Sequence, residues 1–157
     1  MKTHKYYTKI NWTGNQGKGS ENYKAYNRDY TITVNGKSED ILGSSDVAFL
    51  GDATRYNPED LLVASVSSCH MLWYLHLCAT NNINVVEYAD NATGTMEETQ
   101  NGSGKFTEIT LHPTIVVTDK SMIEKAKRLH TEANKMCFIA NSLNFKVEHK
   151  AIISVLN

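Results

Sequence analysis

The sequence predicts an α+β fold, a largely antiparallel sheet packed on helices, with elements in the order βββ-α-ββ-α-β. Three observations predict it. The N-terminal third is dense in Tyr, Thr, Ile and Val, the middle carries a long apolar segment behind a strong helix start, and the last strand, from Phe145 to Val155, alternates. With 157 residues the chain reads as a single domain over 1–157, long enough to bury a core without disulfide or metal staples.

In chain order, Lys5–Trp12 and Tyr23–Val34 read as strands, with a turn at Gly14–Gly19 between them. Those glycines match neither a Walker loop nor GxGxxG ahead of a helix, so they carry no phosphate reading. Asn35-Gly36 is a type I′ hairpin signal. From Ser38 to Tyr56 the chain reads as irregular, with a turn at Gly51-Asp52. Asn57 is then a good N-cap, Pro58 suits the first helical position, and Glu59 and Asp60 complement the helix dipole. That helix should run to about Ala79, with Asn81-Asn82 supplying a left-handed ending. No Asp, Glu, Lys or Arg occurs from Leu61 to Val86. Serines and histidines inside the stretch favour a buried core helix over a membrane span. Apolar residues lie all round it, which points to a second subunit for part of its cover.

Strands return at Asn84–Glu98 and Phe106–Val117, joined by the turn at Asn101–Gly104. A second helix starts at Asp119 or Ser121, with Ser121 and Glu124 as a capping-box pair and Met122, Ala126, Leu129, Ala133 and Met136 as its apolar stripe. A short helix or turn covers Cys137–Leu143. In the last strand Phe145, Val147, His149, Ala151, Ile153 and Val155 share one face.

Composition limits the function classes. Sixteen basic against seventeen acidic residues give a formal charge of −1, which excludes a general nucleic-acid footprint. A hydrophobic fraction of 41% with 9% aromatics excludes intrinsic disorder. The charged N-terminus has no apolar run behind it, so no secretory signal is read. Three cysteines without a CxxC pair suit neither a secreted disulfide framework nor a zinc ribbon, and reduced thiols in the cytoplasm are expected.

Cys69 lies within the apolar helix and Cys137 at the break after the second one. Each is either a small core hydrophobe or one half of a peroxidatic and resolving pair. At Cys137 free backbone N–H groups would lower the thiol pKa. Cys78, half a turn round from Cys69, belongs to the core. Cys69, His70, His76 and Cys78 share no single helix face, so no metal site is read. His4, His112, His130 and His149 carry no local constellation and are expected at or near the surface. Arg28 or Arg55, paired with Glu59, would leave a fixed guanidinium near a thiol and favour the thiolate.

Tyr56-Asn57-Pro58-Glu59-Asp60-Leu61-Leu62 leading into Ser68-Cys69-His70, then Cys137-Phe138-Ile139-Ala140-Asn141-Ser142 before a terminal strand, resembles the OsmC/Ohr family of osmotically inducible and organic hydroperoxide resistance proteins. Trp12-Thr13-Gly14 and Gly17-Lys18-Gly19 add to the likeness, which covers nearly the whole chain. The resemblance implies an OsmC-like intertwined homodimer, antiparallel sheets wrapped around long central helices, with active sites at the interface. It implies a thiol peroxidase for organic hydroperoxides without a metal or other cofactor. Cys69 would attack the peroxide and become a sulfenic acid, Cys137 would close a disulfide on it, and a dithiol or lipoyl-protein reductant would reset the pair. Glu59 would orient the arginine, Arg28 or Arg55. Met71, Trp73, Phe138 and Ile139 would line an apolar substrate pocket. A non-catalytic module of the same fold, binding an apolar ligand or sensing redox state, is the alternative. The family pattern Cys-Pro-x-Ser reads Cys137-Phe138-Ile139-Ala140 here, and His70 stands where an aromatic is common.

Overall fold

The computed structural model describes residues 2–156. These residues form two compact units, one running to Leu61 and one from Leu62.

The first unit is built on a three-stranded antiparallel sheet, β1 (Lys9–Trp12), β2 (Tyr30–Thr33) and β3 (Ile41–Gly43), in that order. Its strands are shorter than the sequence predicts. Beyond Trp12 the pairing continues irregularly, through Thr13 N–H to Asp29 C=O, Asn27 N–H to Gly14 C=O and an Asn15–Tyr26 bridge, until the Asn15 side chain accepts the N–H groups of Gly17 and Gly19 and closes the loop on itself. Residues 34–40 join β2 to β3. Here Val34 C=O accepts Lys37 N–H at 3.0 Å and Gly36 takes φ +81°, while Asn35 stays out of the left-handed region. That is a type II turn, not the expected I′. With so long a connection, the turn is released from matching the twist of the strands. The stretch expected to be irregular contains β3 and a 3₁₀ turn at Val47–Phe49. Gly43 is required at its position, since a Cβ there would meet the Tyr30 ring at 2.2 Å.

Helix α1 spans Pro58–Thr80, and both its ends follow from local chemistry. Asp60 N–H donates to Asn57 Oδ1 at 2.7 Å and Asn57 N–H to Asp60 Oδ2 at 3.3 Å, a reciprocal cap. At the other end Asn82 takes φ +58°, Ile83 N–H reaches Cys78 C=O and Asn82 N–H reaches Ala79 C=O. This is a Schellman ending. Between the ends, Val66, His70, Tyr74 and Cys78 form one buried stripe at four-residue spacing. The sequence reading gave part of the helix's cover to a second subunit; within the single chain only that stripe is fully buried, and Leu72 is 63% exposed. By length and a mean hydropathy of 1.4 the helix could cross a membrane, yet its stripe is filled by core side chains of its own chain.

In the second unit the two long strands predicted after α1 each break in two, as does the terminal one. The strands are β4 (Val85–Asp90), β5 (Thr93–Glu98), β6 (Gly104–Leu111), β7 (Pro113–Val117), β8 (Val147–His149) and β9 (Ile152–Val155). They form two sheets, β4-β7-β9 and β5-β6-β8. Each predicted strand leaves one sheet and enters the other at Asn91-Ala92, His112 or Lys150-Ala151, so the three breaks lie on one corner. Asp90 holds that corner: its carboxylate accepts His112 N–H at 2.7 Å and the Ser67 hydroxyl at 2.5 Å. β4 and β5 run antiparallel to the central β7 and β6, whereas β9 and β8 run parallel to them.

Helix α2 (Ile123–Met136) follows a 3₁₀ turn at Lys120–Met122. Asp119 caps that turn, accepting both the N–H and the hydroxyl of Ser121, and α2 itself has Met122 at its N-cap, without a side-chain cap. The Ser121 hydroxyl is thereby committed, and the expected box with Glu124 does not form. The cores separate along α1. Val66 packs with Ile109, Leu111 and Val147, while Tyr74 and Cys78 pack with Ile83, Ile115, Val117, Ala126, Leu129 and Ala133.

Asp90→Ala should lower unfolding stability by about 2 kcal/mol, because it strands a backbone N–H and a hydroxyl at the corner. Urea denaturation checks this, and an unchanged midpoint would remove Asp90 from its structural role.

Candidate functional site

The two cysteines singled out by sequence are neighbours in the second unit. Cys69, half-buried, sits beside the buried stripe of α1. Cys137 is buried at the C-cap of α2 in an extended conformation, φ −68° and ψ 108°. Its Sγ accepts the N–H of Ala140 at 3.4 Å, from the 3₁₀ turn Ala140–Ser142. The helix break was expected to lower its pKa. Burial overrides the free N–H groups, and with the adjacent Cys69 thiol it pushes Cys137 up to about 11. Cys78 is a core thiol, as read, and burial raises its pKa.

An aromatic pair stands beside the thiols. Trp73, one turn beyond Cys69, meets Phe138 edge to face at 5.6 Å, and Phe138 is 68% exposed. Ile139 packs instead against the Val66 core, and Met71, two residues from Cys69, points to the other side of α1.

In the first unit Arg28 lines a cavity of about 420 Å³ with Trp12, Tyr26, Tyr30, Ser44 and Pro58. Its guanidinium donates to the carbonyls of Tyr26 and Tyr23 at 2.6 and 2.5 Å and lies 4.3 Å from both tyrosine rings. A carboxylate partner was expected; carbonyls and aromatic faces fill that role. Glu59 borders Tyr30, whose hydroxyl pKa is raised by burial and then by that carboxylate. Arg55 is committed elsewhere, with Nε 3.6 Å from both Asp29 and Asp52. Neither arginine forms an ion pair with Glu59 among the described residues.

A histidine cluster went unread in the sequence. His130, expected near the surface, is fully buried, and its Nδ1 lies 3.0 Å from Nε2 of the equally buried His70. The ring of half-buried His149 lies 5.8 Å from both. The signal was present, since His130 shares the inward face of α2 with Ala126, Leu129 and Ala133. Among the described residues no group of His, Cys, Asp and Glu is arranged to hold a metal.

A family model described as OsmC-like protein matches residues 51–151. The chain belongs to the OsmC-like family. No curated protein matches it. Solved structures do. An OsmC-like protein of unknown function from Vibrio cholerae is 28% identical, with a TM-score of 0.85 over 96% of this chain and 100% of that one. An organic hydroperoxide resistance protein from Elizabethkingia anophelis is 21% identical, TM-score 0.69, over 98% and 100% of the two chains. One from Bacillus subtilis is 20% identical, TM-score 0.62, over 94% and 98%. The family named from the sequence is thus confirmed, with an OsmC-like α+β fold rich in antiparallel pairing.

The buried histidines make stability depend on pH. Burial is the main cause that holds His70 down at about 4 and His130 at about 3. Unfolded, both take up protons near 6.5, so below that pH the unfolded state binds more protons and gains. Stability should be level above pH 6.5 and fall towards pH 4, by up to about 1.4 kcal/mol per pH unit for each histidine. Urea midpoints at pH 7, 5.5 and 4.5 measure this; equal midpoints would contradict a neutral buried pair.

Proposed function

We propose that this OsmC-like protein is a thiol peroxidase that reduces organic hydroperoxides through Cys69 and Cys137. The observation that carries the proposal is the unequal pair: a half-buried Cys69 against a buried Cys137 that stays protonated at neutral pH. The Cys69 thiolate attacks the outer peroxide oxygen, the O–O bond breaks, and the departing alkoxide takes a proton to leave as an alcohol. Cys69 is left as a sulfenic acid. Cys137 is a poor competitor for peroxide, because the thiol form is not the nucleophile. When its sulfur bonds to Cys69, its proton leaves with the sulfenic oxygen as water. An external dithiol then reduces the disulfide and is itself oxidised to one. Trp73 and Phe138 supply an apolar wall that favours alkyl or aryl peroxides over hydrogen peroxide.

The first unit supplies the charge. Arg28, already held by Tyr23 and Tyr26 and facing a cavity, is better placed than Arg55 to stabilise a thiolate and a departing oxygen, with Glu59 nearby. A homodimer is the arrangement in which this reading would join guanidinium to thiol. A second copy would also cover the exposed side of α1 around Leu72. Three free thiols suit a reducing cytoplasm.

Turnover with an organic hydroperoxide and excess dithiol tests the proposal. Cys69→Ser should abolish it, and Cys137→Ser should stop after one turnover with a trappable sulfenic acid. Full activity in Cys69→Ser would refute the assignment. The cavity around Arg28, which no cysteine lines, favours the binding module as the second reading. Ligand retention without turnover in the unmodified protein would select it.

A further inference from the structure

We infer that His130 and His70 are positioning residues for disulfide closure: their buried hydrogen bond clamps α1 to α2 and holds Cys69 and Cys137 within bonding reach. The inference rests on the thiol-peroxidase reading and names residues that reading does not use.

The two cysteines sit on different helices, so closure depends on the register of α1 against α2. A disulfide tolerates little error, with Cα atoms about 4.4–6.8 Å apart and a narrow torsion. Peroxide attack on Cys69 has no such demand on Cys137. His70 follows Cys69 directly, and His130 precedes Cys137 by seven residues, two turns on the same face. Their Nε2···Nδ1 contact of 3.0 Å joins the helices at fully buried positions. A further polar link among the described residues, Lys125 Nζ on α2 to the C=O of Asn81 just past the end of α1 at 3.1 Å, is solvent-exposed.

The clamp is braced. Tyr74 stacks on His130 at 3.8 Å, and the two imidazole planes differ by only 4°. His149 on β8 borders both rings, Asp90 on β4 acts on His70, and Tyr88 on β4 backs Tyr74 at 5.9 Å. An N–H···N bond between imidazoles needs one donor and one acceptor, which neutral rings provide. The pair is kept at a cost, because His70 Nδ1 and His130 Nε2 are buried without a partner. Two apolar side chains would fill the seam between the cores without that cost. The directional bond adds a fixed register that apolar stacking lacks. During closure the Cys69 sulfenic oxygen leaves with the Cys137 proton as water and the S–S bond forms; the histidines exchange nothing.

The test is the rate of Cys69–Cys137 closure in the full chain, driven separately by one equivalent of an organic hydroperoxide and by diamide, a diazene that accepts two electrons and two protons from the thiols. His130→Phe should slow closure by both oxidants about tenfold, while formation of the Cys69 sulfenic acid, read by dimedone trapping, stays within about twofold. His70→Phe/His130→Phe leaves no orphaned nitrogen, secures a folded variant, and should be equally slow. His130→Gln, which keeps a hydrogen-bonding side chain, should recover part of the rate. Closure as fast in the double variant as in the unmodified protein overturns the clamp and leaves the peroxidase reading standing. If the unmodified protein closes with diamide but not with peroxide, the peroxidase reading falls and the diamide rates of the variants alone decide the clamp: slowed closure keeps it, unslowed closure overturns it. Closure with neither overturns both.

Discussion

Helix α1 is apolar on every side, yet its own chain covers one stripe of it, and the rest of the structure is arranged around that stripe. Val66, His70, Tyr74 and Cys78 enter the interior at successive turns. Val66 faces the sheet β5-β6-β8, Tyr74 and Cys78 face β4-β7-β9 and α2, and His70 lies between the two cores, bonded to His130 on α2. Ser67, beside the stripe, bonds Asp90 at the corner between the sheets, so helix and corner are fixed together. Cys69 and Trp73 occupy the adjoining face, held in place by a stripe that cannot rotate without emptying two cores.

That placement makes the cysteines unequal, and the inequality has chemical consequences. A thiol buried beside another thiol has little reason to ionise, and the N–H of Ala140 does not offset its desolvation. Cys137 is therefore a thiol that keeps its proton at neutral pH, which is the property the proposed resolving role calls for. Cys69 is the less buried of the two and lies one turn before Trp73, whose partner Phe138 is exposed, and it is the thiol the proposal gives to the peroxide. A proline after Cys137 would have supplied no edge-to-face partner for Trp73; Phe138 does, and it gives this chain an aromatic wall of its own.

What was legible in the sequence was local. Asn57, Asp60 and Asn82 act on groups within a few residues, so both ends of α1 could be read directly. The alternation of the terminal strand survived as well, although the strand is bent. What was missed depends on distant partners. Asp90 finds Ser67 and His112 across more than twenty positions, and no pattern within a strand announces a corner made that way. His130 carries no local constellation and so reads as surface or half-buried, although its helical position faces inward beside Ala126 and Ala133. The helix break at Cys137 suggested an acidic thiol, but burial is a property of the packed fold. Of the candidate site, the cysteines came from the residues themselves; the contact of Trp73 with Phe138, and the contrast between a cavity-facing Arg28 and an ion-paired Arg55, required coordinates.

The most direct measurement is a free-thiol count with peptide mapping before and after one equivalent of an organic hydroperoxide. The account predicts that three free thiols fall to one, with Cys69 joined to Cys137 and Cys78 untouched. Three surviving thiols, or a bond that includes Cys78, would contradict it.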